Sequence, residues 1–144
     1  MVIEVDVEPL VELGAVATGV RRYVTFRDGT FSGRDGLRGT IARGGVDWQL
    51  ARGDGVLEID AHYVLVSDAD EMIEVQSRGL RVASEEVAAR IAAGETVDPS
   101  EYYFRTHVRL ATAAPRLVWM NELLAVSTGE RHRDRVRIHV HEVC

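Results

Sequence analysis

The chain contains no lysine: all 17 of its Lys+Arg residues are arginine. That absence removes chemistry that needs an amine nucleophile, and with it Schiff-base mechanisms and the lysine of a phosphate-binding loop. Cysteine is nearly absent as well. The single Cys144 stands at the last position and cannot close an internal disulfide, which fits a reducing compartment; the expected location is the cytoplasm. No apolar run is long enough to cross a bilayer, and the acidic start MVIEVDVEPL has no basic region leading into an apolar stretch. Neither a membrane span nor a secretory signal is expected. A formal net charge of -6 leaves no electrostatic footprint for nucleic acid, which is excluded as a partner.

What is present is ordinary for a globular protein: 46% hydrophobic and 28% charged residues over 144 positions. A chain of this length forms one domain, residues 1–144, and buries roughly two-thirds of the surface its unfolded form exposes. Apolar residues recur mostly at period two between closely spaced turn signals, the pattern of an all-β sandwich or barrel. A leading strand is expected near 10–17. RYVTF (22–26) runs into Asp28-Gly29, LRGTIA (37–42) ends at Gly44-Gly45, and VDWQLA (46–51) meets Asp54-Gly55, a hairpin signal. VLEIDAHYVLVS (56–67) and MIEVQS (72–77) follow, and longer strands are expected at about 101–111, 116–126 and 135–143. One segment breaks the alternation. SEEVAARIAAG (84–94) has the N-cap residue Ser84, two acids in its first turn and Gly94 past its end, which predicts a short helix over about 84–93. Eight to ten antiparallel strands with one helix suggest a closed β-barrel, which removes sheet edges and can hold one small ligand.

Several residues carry candidate chemistry. On the strand EYYFRTHVRL, Tyr102, Phe104, Thr106, Val108 and Leu110 share one face, and Tyr103, Arg105, His107 and Arg109 the other. Either the first face is core and the second solvated, or the polar face lines a wet lumen. In the latter case Arg105 presents a rigid fork to a carboxylate, enolate or phenolate. Asn121, the only asparagine, shares a face with Leu117, Trp119, Leu123 and Ala125 if 116–126 is a strand. Its amide then needs a backbone group or a ligand, because an unpaired buried amide costs about 1–3 kcal/mol. Asp47 and Trp48 point to opposite sides of their strand. Asp47 either serves a turn or surface arginine, or faces an apolar lumen that raises its pKa into the range of acid–base catalysis. Asp60 carries the same ambiguity. His139 and His141 are spaced to share a metal, but no third ligand follows by spacing and Arg135 and Arg137 stand on the same face, so no metal is expected. No G-x-S-x-G elbow exists for a serine triad.

The phrases GRDGLRGTIARGGVDWQLARGDGVLEIDAHYVL, YYFRT and PRLVWMNELLAV, in that order, resemble the family known as domain of unknown function 3237, over roughly residues 10–143. The resemblance implies a lipocalin-like antiparallel barrel that self-associates, here as a homodimer. It also implies a kinship with tailoring enzymes of secondary metabolism that dehydrate, hydrate or cyclise a natural product without a cofactor. The family pattern falls on Asp47, Trp48, Asp60, Tyr63, Tyr103, Arg105, Trp119 and Asn121. His62 and Met120 depart from it, standing where relatives have arginine and leucine. The expectation is a cofactor-free, metal-free enzyme of the lyase or isomerase type acting on a hydrophobic, oxygenated small molecule. Asp47 would move a proton, Arg105 and Asn121 would hold an oxyanion, and Trp48, Asp60, Tyr63, Tyr103 and Trp119 would bind the substrate. The competing expectation is the same barrel as a carrier or sensor without turnover.

Overall fold

The computed structural model describes residues 1–144. Ten strands form: β1 (Val2–Val7), β2 (Val11–Val16), β3 (Gly19–Ser32), β4 (Arg38–Ile41), β5 (Val46–Ala51), β6 (Val56–Ser67), β7 (Met72–Val82), β8 (Tyr103–Ala111), β9 (Ala125–Arg131) and β10 (Arg135–Glu142). The one α-helix, α1, spans Glu85–Ala92, and 3-10 turns occupy Arg34–Gly36, Pro99–Glu101 and Pro115–Glu122. β1 pairs with both β10 and β3, which closes the sheet on itself. Closure uses eight strand positions, because two of them are split. β4 and β5 both lie between β3 and β6 and follow one another along that slot, separated by the turn at 42–45. β1 and β2 likewise share the flank of β3, separated at Pro9, whose missing N–H cannot continue a ladder. The molecule is a closed antiparallel β-barrel.

Alternation settles which face is inside. Leu57, Ile59, Ala61, Tyr63 and Leu65 of β6 are buried, as are Phe104, Thr106, Val108 and Leu110 of β8, while the intervening residues face outward. One end of the barrel is filled by Phe31, Leu37, Leu65, Ile73, Leu117 and Met120. At the other end α1 continues from β7. Its Ser84 hydroxyl accepts a hydrogen bond from the Val87 N–H at 3.2 Å, and Val87 and Ile91 are buried. The helix forms where the cap and acidic first turn predict it.

Four expectations need correction. β1 lies before the predicted leading strand, which corresponds to β2. β3 runs unbroken through Asp28-Gly29 instead of turning there. A side chain at Gly29 would overlap the carbonyl oxygen of Glu4, so this glycine lets β1 approach closely. β7 extends five residues beyond the predicted Ser77, to Val82. Residues 116–122 are not a strand: Pro115 opens a 3-10 segment whose Leu117 and Met120, three apart, stack on one side and bury.

Candidate active site

The inward positions near the α1 end of the barrel are not all apolar. Alternation turns Asp47 and Gln49 of β5 inward, and does the same for Ser77 and Arg81 of β7, Thr106 of β8 and Arg131 of β9. Together with Tyr63 they line a lumen cavity whose remaining wall is apolar, with Val5, Val24, Phe26, Ile59, Phe104 and Ile138 among its contributors. Its cavity volume is about 50 Å³, and the wider unfilled space around it, about 600 Å³, includes open solvent.

Asp47 is fixed from two sides. Its Oδ2 accepts a hydrogen bond from Gln49 Nε2 at 2.6 Å, and its Oδ1 accepts one from the Asp60 backbone N–H at 3.3 Å. Gln49 is oriented in turn by Arg22, whose Nε donates to Gln49 Oε1 at 2.9 Å. Burial pushes the Asp47 carboxyl up to about 6, against the opposing pull of the Gln49 and Asp60 hydrogen bonds and the charges of Arg81 and Arg22. A carboxyl poised there is available in both protonation states near neutral pH, which is what proton transfer in both directions requires.

The other polar groups of the cavity are donors. Arg81 makes no hydrogen bond or ion pair within the chain; burial, followed by repulsion from Arg22 and Arg131, brings its guanidinium down to about 10. Arg131 is also lowered, first by burial. Its side chain reaches only the Arg135 carbonyl, at 3.4 Å. Tyr63, 5% exposed, stands edge-on to Phe26 with ring centroids 5.1 Å apart, and its hydroxyl has no hydrogen-bond partner in the protein. Burial and the neighbouring Asp47 charge push its phenol well above the ordinary tyrosine range, so it remains a neutral donor. Two guanidinium groups in the lining, Arg81 and Arg131, against one carboxylate leave the lumen with surplus positive charge suited to an anionic oxygen.

A family model described as a protein of unknown function (DUF3237) matches residues 1–143. The chain belongs to the DUF3237 family. A UPF0311 protein of Rhodopseudomonas palustris is 35% identical over 130 residues, covering 90% of this chain and 84% of that protein. The crystal structure of a conserved R. palustris protein of unknown function superposes with a TM-score of 0.95 at 32% identity, over 99% of this chain and 93% of that one. A β-barrel-like protein of Acinetobacter baumannii gives a TM-score of 0.83 at 34% identity, over 98% and 90%. An enzyme of Penicillium herquei shares the fold at 16% identity, with a TM-score of 0.66 over 96% and 90% of the two chains.

In this DUF3237 barrel the residues singled out by the sequence separate into two groups. Asp47 and Tyr63 meet in the lumen. Arg105 does not reach it: β8 turns Phe104 and Thr106 inward, so Arg105 is exposed, with Nη1 on the Phe104 carbonyl at 2.9 Å and its guanidinium 5.2 Å from the Tyr103 ring. Tyr103 is 52% exposed on the same outer face. Trp48 also lies outside, 5.0 Å from Tyr23, and Asp60 pairs there with Arg78 at 2.9 Å. Asn121 sits in a turn. Its Oδ1 accepts from the Thr112 N–H at 2.8 Å and its Nδ2 donates to the Thr112 carbonyl at 2.9 Å, so both ends of the amide are used by the backbone. Trp119 stacks under Arg34, 3.7 Å from its ring centroid, in a separate hollow at the far end of the barrel. Asp47, Arg105 and Asn121 therefore do not converge on one cavity.

Arg81, Arg131, Gln49 and Ser77 were not among the expected site residues of this DUF3237 chain. Arg81 had a readable signal: extending the inward series Ile73, Val75, Ser77 by two steps of two arrives at it. Arg131 was hidden by the misplacement of β9. Because Arg81 acts on Asp47 through its charge, Arg81→Met is expected to raise the Asp47 titration midpoint above about 6, read by carbon NMR of the carboxyl. An unmoved midpoint would show that the Arg81 charge is screened from the carboxyl.

Proposed function

We propose that the barrel lumen binds a hydrophobic, oxygenated small molecule and that Asp47 transfers a proton on it. The protein would then be a cofactor-independent acid–base enzyme of the lyase or isomerase type. The observation that carries this reading is a carboxyl held at about 6 inside an apolar-walled cavity, where the Arg81 guanidinium and the Tyr63 hydroxyl stand without hydrogen-bond partners in the protein. Arg81 and Arg131 take the part first expected of Arg105 and Asn121, receiving negative charge that develops on a substrate oxygen. Tyr63 adds a neutral donor. As carboxylate, Asp47 removes a proton from carbon or hydroxyl; as the acid so formed, it returns that proton to another carbon or to a departing hydroxyl that leaves as water. Dehydration, hydration, isomerisation and cyclisation are all sequences of those two steps. The fold shared with the P. herquei enzyme is consistent with such use of a barrel, and natural-product intermediates are the compounds to screen first.

The test has two stages. Hydrophobic ketones, phenols and hydroxy acids are first screened for a rise in melting temperature, and the compounds that bind are then followed for conversion by mass spectrometry. Asp47→Asn is expected to keep the thermal shift while turnover falls by about 10²–10⁴-fold. Turnover unchanged in Asp47→Asn would remove the carboxyl from the mechanism. Binding without product from any compound would make the barrel a carrier.

A further inference from the structure

Three buried hydroxyls form a ladder across β7, β8 and β9. Ser77 Oγ lies 2.7 Å from Thr106 Oγ1, which lies 2.6 Å from Ser127 Oγ. All three residues are buried, at 5%, 4% and 1% exposure. None of these hydroxyls makes another hydrogen bond within the protein. Three hydroxyl protons serve two hydrogen bonds, so one proton is surplus. If the surplus lay on Ser127 it would be stranded in the core, because Ser127 does not line the cavity, and an unsatisfied buried donor costs about 1–3 kcal/mol. The two remaining arrangements leave it on Ser77 or on Thr106, both of which face the lumen. When Ser127 donates to Thr106 and Thr106 donates to Ser77, each bond also polarises the next.

The register fixes what stands across from the ladder. Asp47 and Ser77 are both paired with Ala61, one from each side, so carboxyl and ladder lie on one line of cross-strand pairs two strand spacings apart, roughly 10 Å along the wall. From this we infer that the Ser77–Thr106–Ser127 ladder is an oxygen-binding element. It donates to a carbonyl oxygen of the bound molecule, whose adjacent carbon is turned toward Asp47. This deepens, and rests on, the reading of the lumen as a small-molecule site. It narrows the ligand to a ketone, ester or acid that offers an acceptor. It also assigns the chemistry beside that carbonyl. Asp47 takes the proton from the adjacent carbon, the C–H electron pair forms the new C=C bond, and the carbonyl π pair moves onto the oxygen as an enolate that the ladder hydrogen-bonds within the positive field of Arg81 and Arg131. Ser77 and Thr106 touch the ligand; Ser127 is a positioning residue.

The experiment compares benzylacetone with the hydrocarbon of the same skeleton, in which a methylidene group replaces the carbonyl oxygen. Binding of both to the whole protein and to its Ser77→Ala and Ser127→Ala variants is measured by calorimetry. Wild type is expected to hold the ketone with an advantage over the hydrocarbon that falls about tenfold in Ser77→Ala and less in Ser127→Ala, while hydrocarbon affinity stays within threefold. Equal binding of the two by wild type, a result that needs no folded variant, overturns the inference but leaves the lumen site standing. An advantage that survives Ser77→Ala intact, in a variant that melts cooperatively, also overturns it. Failure of wild type to bind either compound overturns the inference and the lumen site together.

Discussion

Replacing Asp47 by asparagine is expected to make the protein more stable at pH 8 and no more stable at pH 4. The folded state holds the Asp47 carboxyl at about 6, above its ordinary value of 3.8, mainly because burial disfavours the charge. Between those two values the folded chain keeps a proton that the unfolded chain has released, so stability declines as pH rises through that window. The full cost of ionising Asp47 is present above pH 6 and absent below about 4. A displacement of that size corresponds to about 3 kcal/mol. Asparagine keeps an acceptor for the 2.6 Å bond from Gln49 and sacrifices the weaker 3.3 Å bond from the Asp60 N–H, a loss of about 1 kcal/mol. The net gain is about 2 kcal/mol at pH 8, a rise of roughly 4–8 °C in melting temperature. Thermal melts of both proteins at pH 4 and pH 8 give the answer. A variant that melts lower than wild type at pH 8 would mean that the ionised carboxylate is a structural element, and the poised acid would be lost from the proposed mechanism.

Gly79→Ala is expected to be among the most damaging single-methyl additions in the molecule. Gly79 lies on β7 in register with Ile59 of β6 and Thr106 of β8. A Cβ there would overlap the Arg105 carbonyl oxygen and stand 2.6 Å from Thr106 Cα. Both obstacles are backbone, so no rotamer change relieves them and β8 itself must shift. The expected loss is about 3 kcal/mol or more, seen as a fall of roughly 6–12 °C in melting temperature. Because the displaced residue is Thr106, the middle of the hydroxyl ladder moves with it, and the preference for a carbonyl ligand should weaken in parallel. A melting temperature within 2 °C of wild type would show that the two strands separate here at little cost.

Period-two alternation was enough to identify a barrel, because a strand with one buried face must alternate wherever it lies in the sheet. It placed Tyr102, Phe104 and Thr106 on one face correctly; Asp47 and Tyr63 came into view through the family resemblance instead. It failed at residues 116–122, where an apolar stripe and a proline fit a strand by period and a 3-10 turn by packing. That error carried Asn121 into an imagined core and concealed Arg131.

Sequence alone determined the class of fold, the helix capped by Ser84 and the lack of lysine chemistry, since each follows from local pattern or from composition, and the family resemblance singled out Asp47. Only the tertiary structure decided which arginines attend that aspartate. Arg105 and Arg81 are both arginines on alternating strands, and what separates them is barrel closure, which gives each strand one face toward the lumen and one toward solvent. The pairing of β5 with β6 and of β6 with β7 then brings Asp47 and Ser77, thirty positions apart in the chain, onto one line of cross-strand pairs. Local sequence carries no record of that register, because pairing is a property of two strands at once.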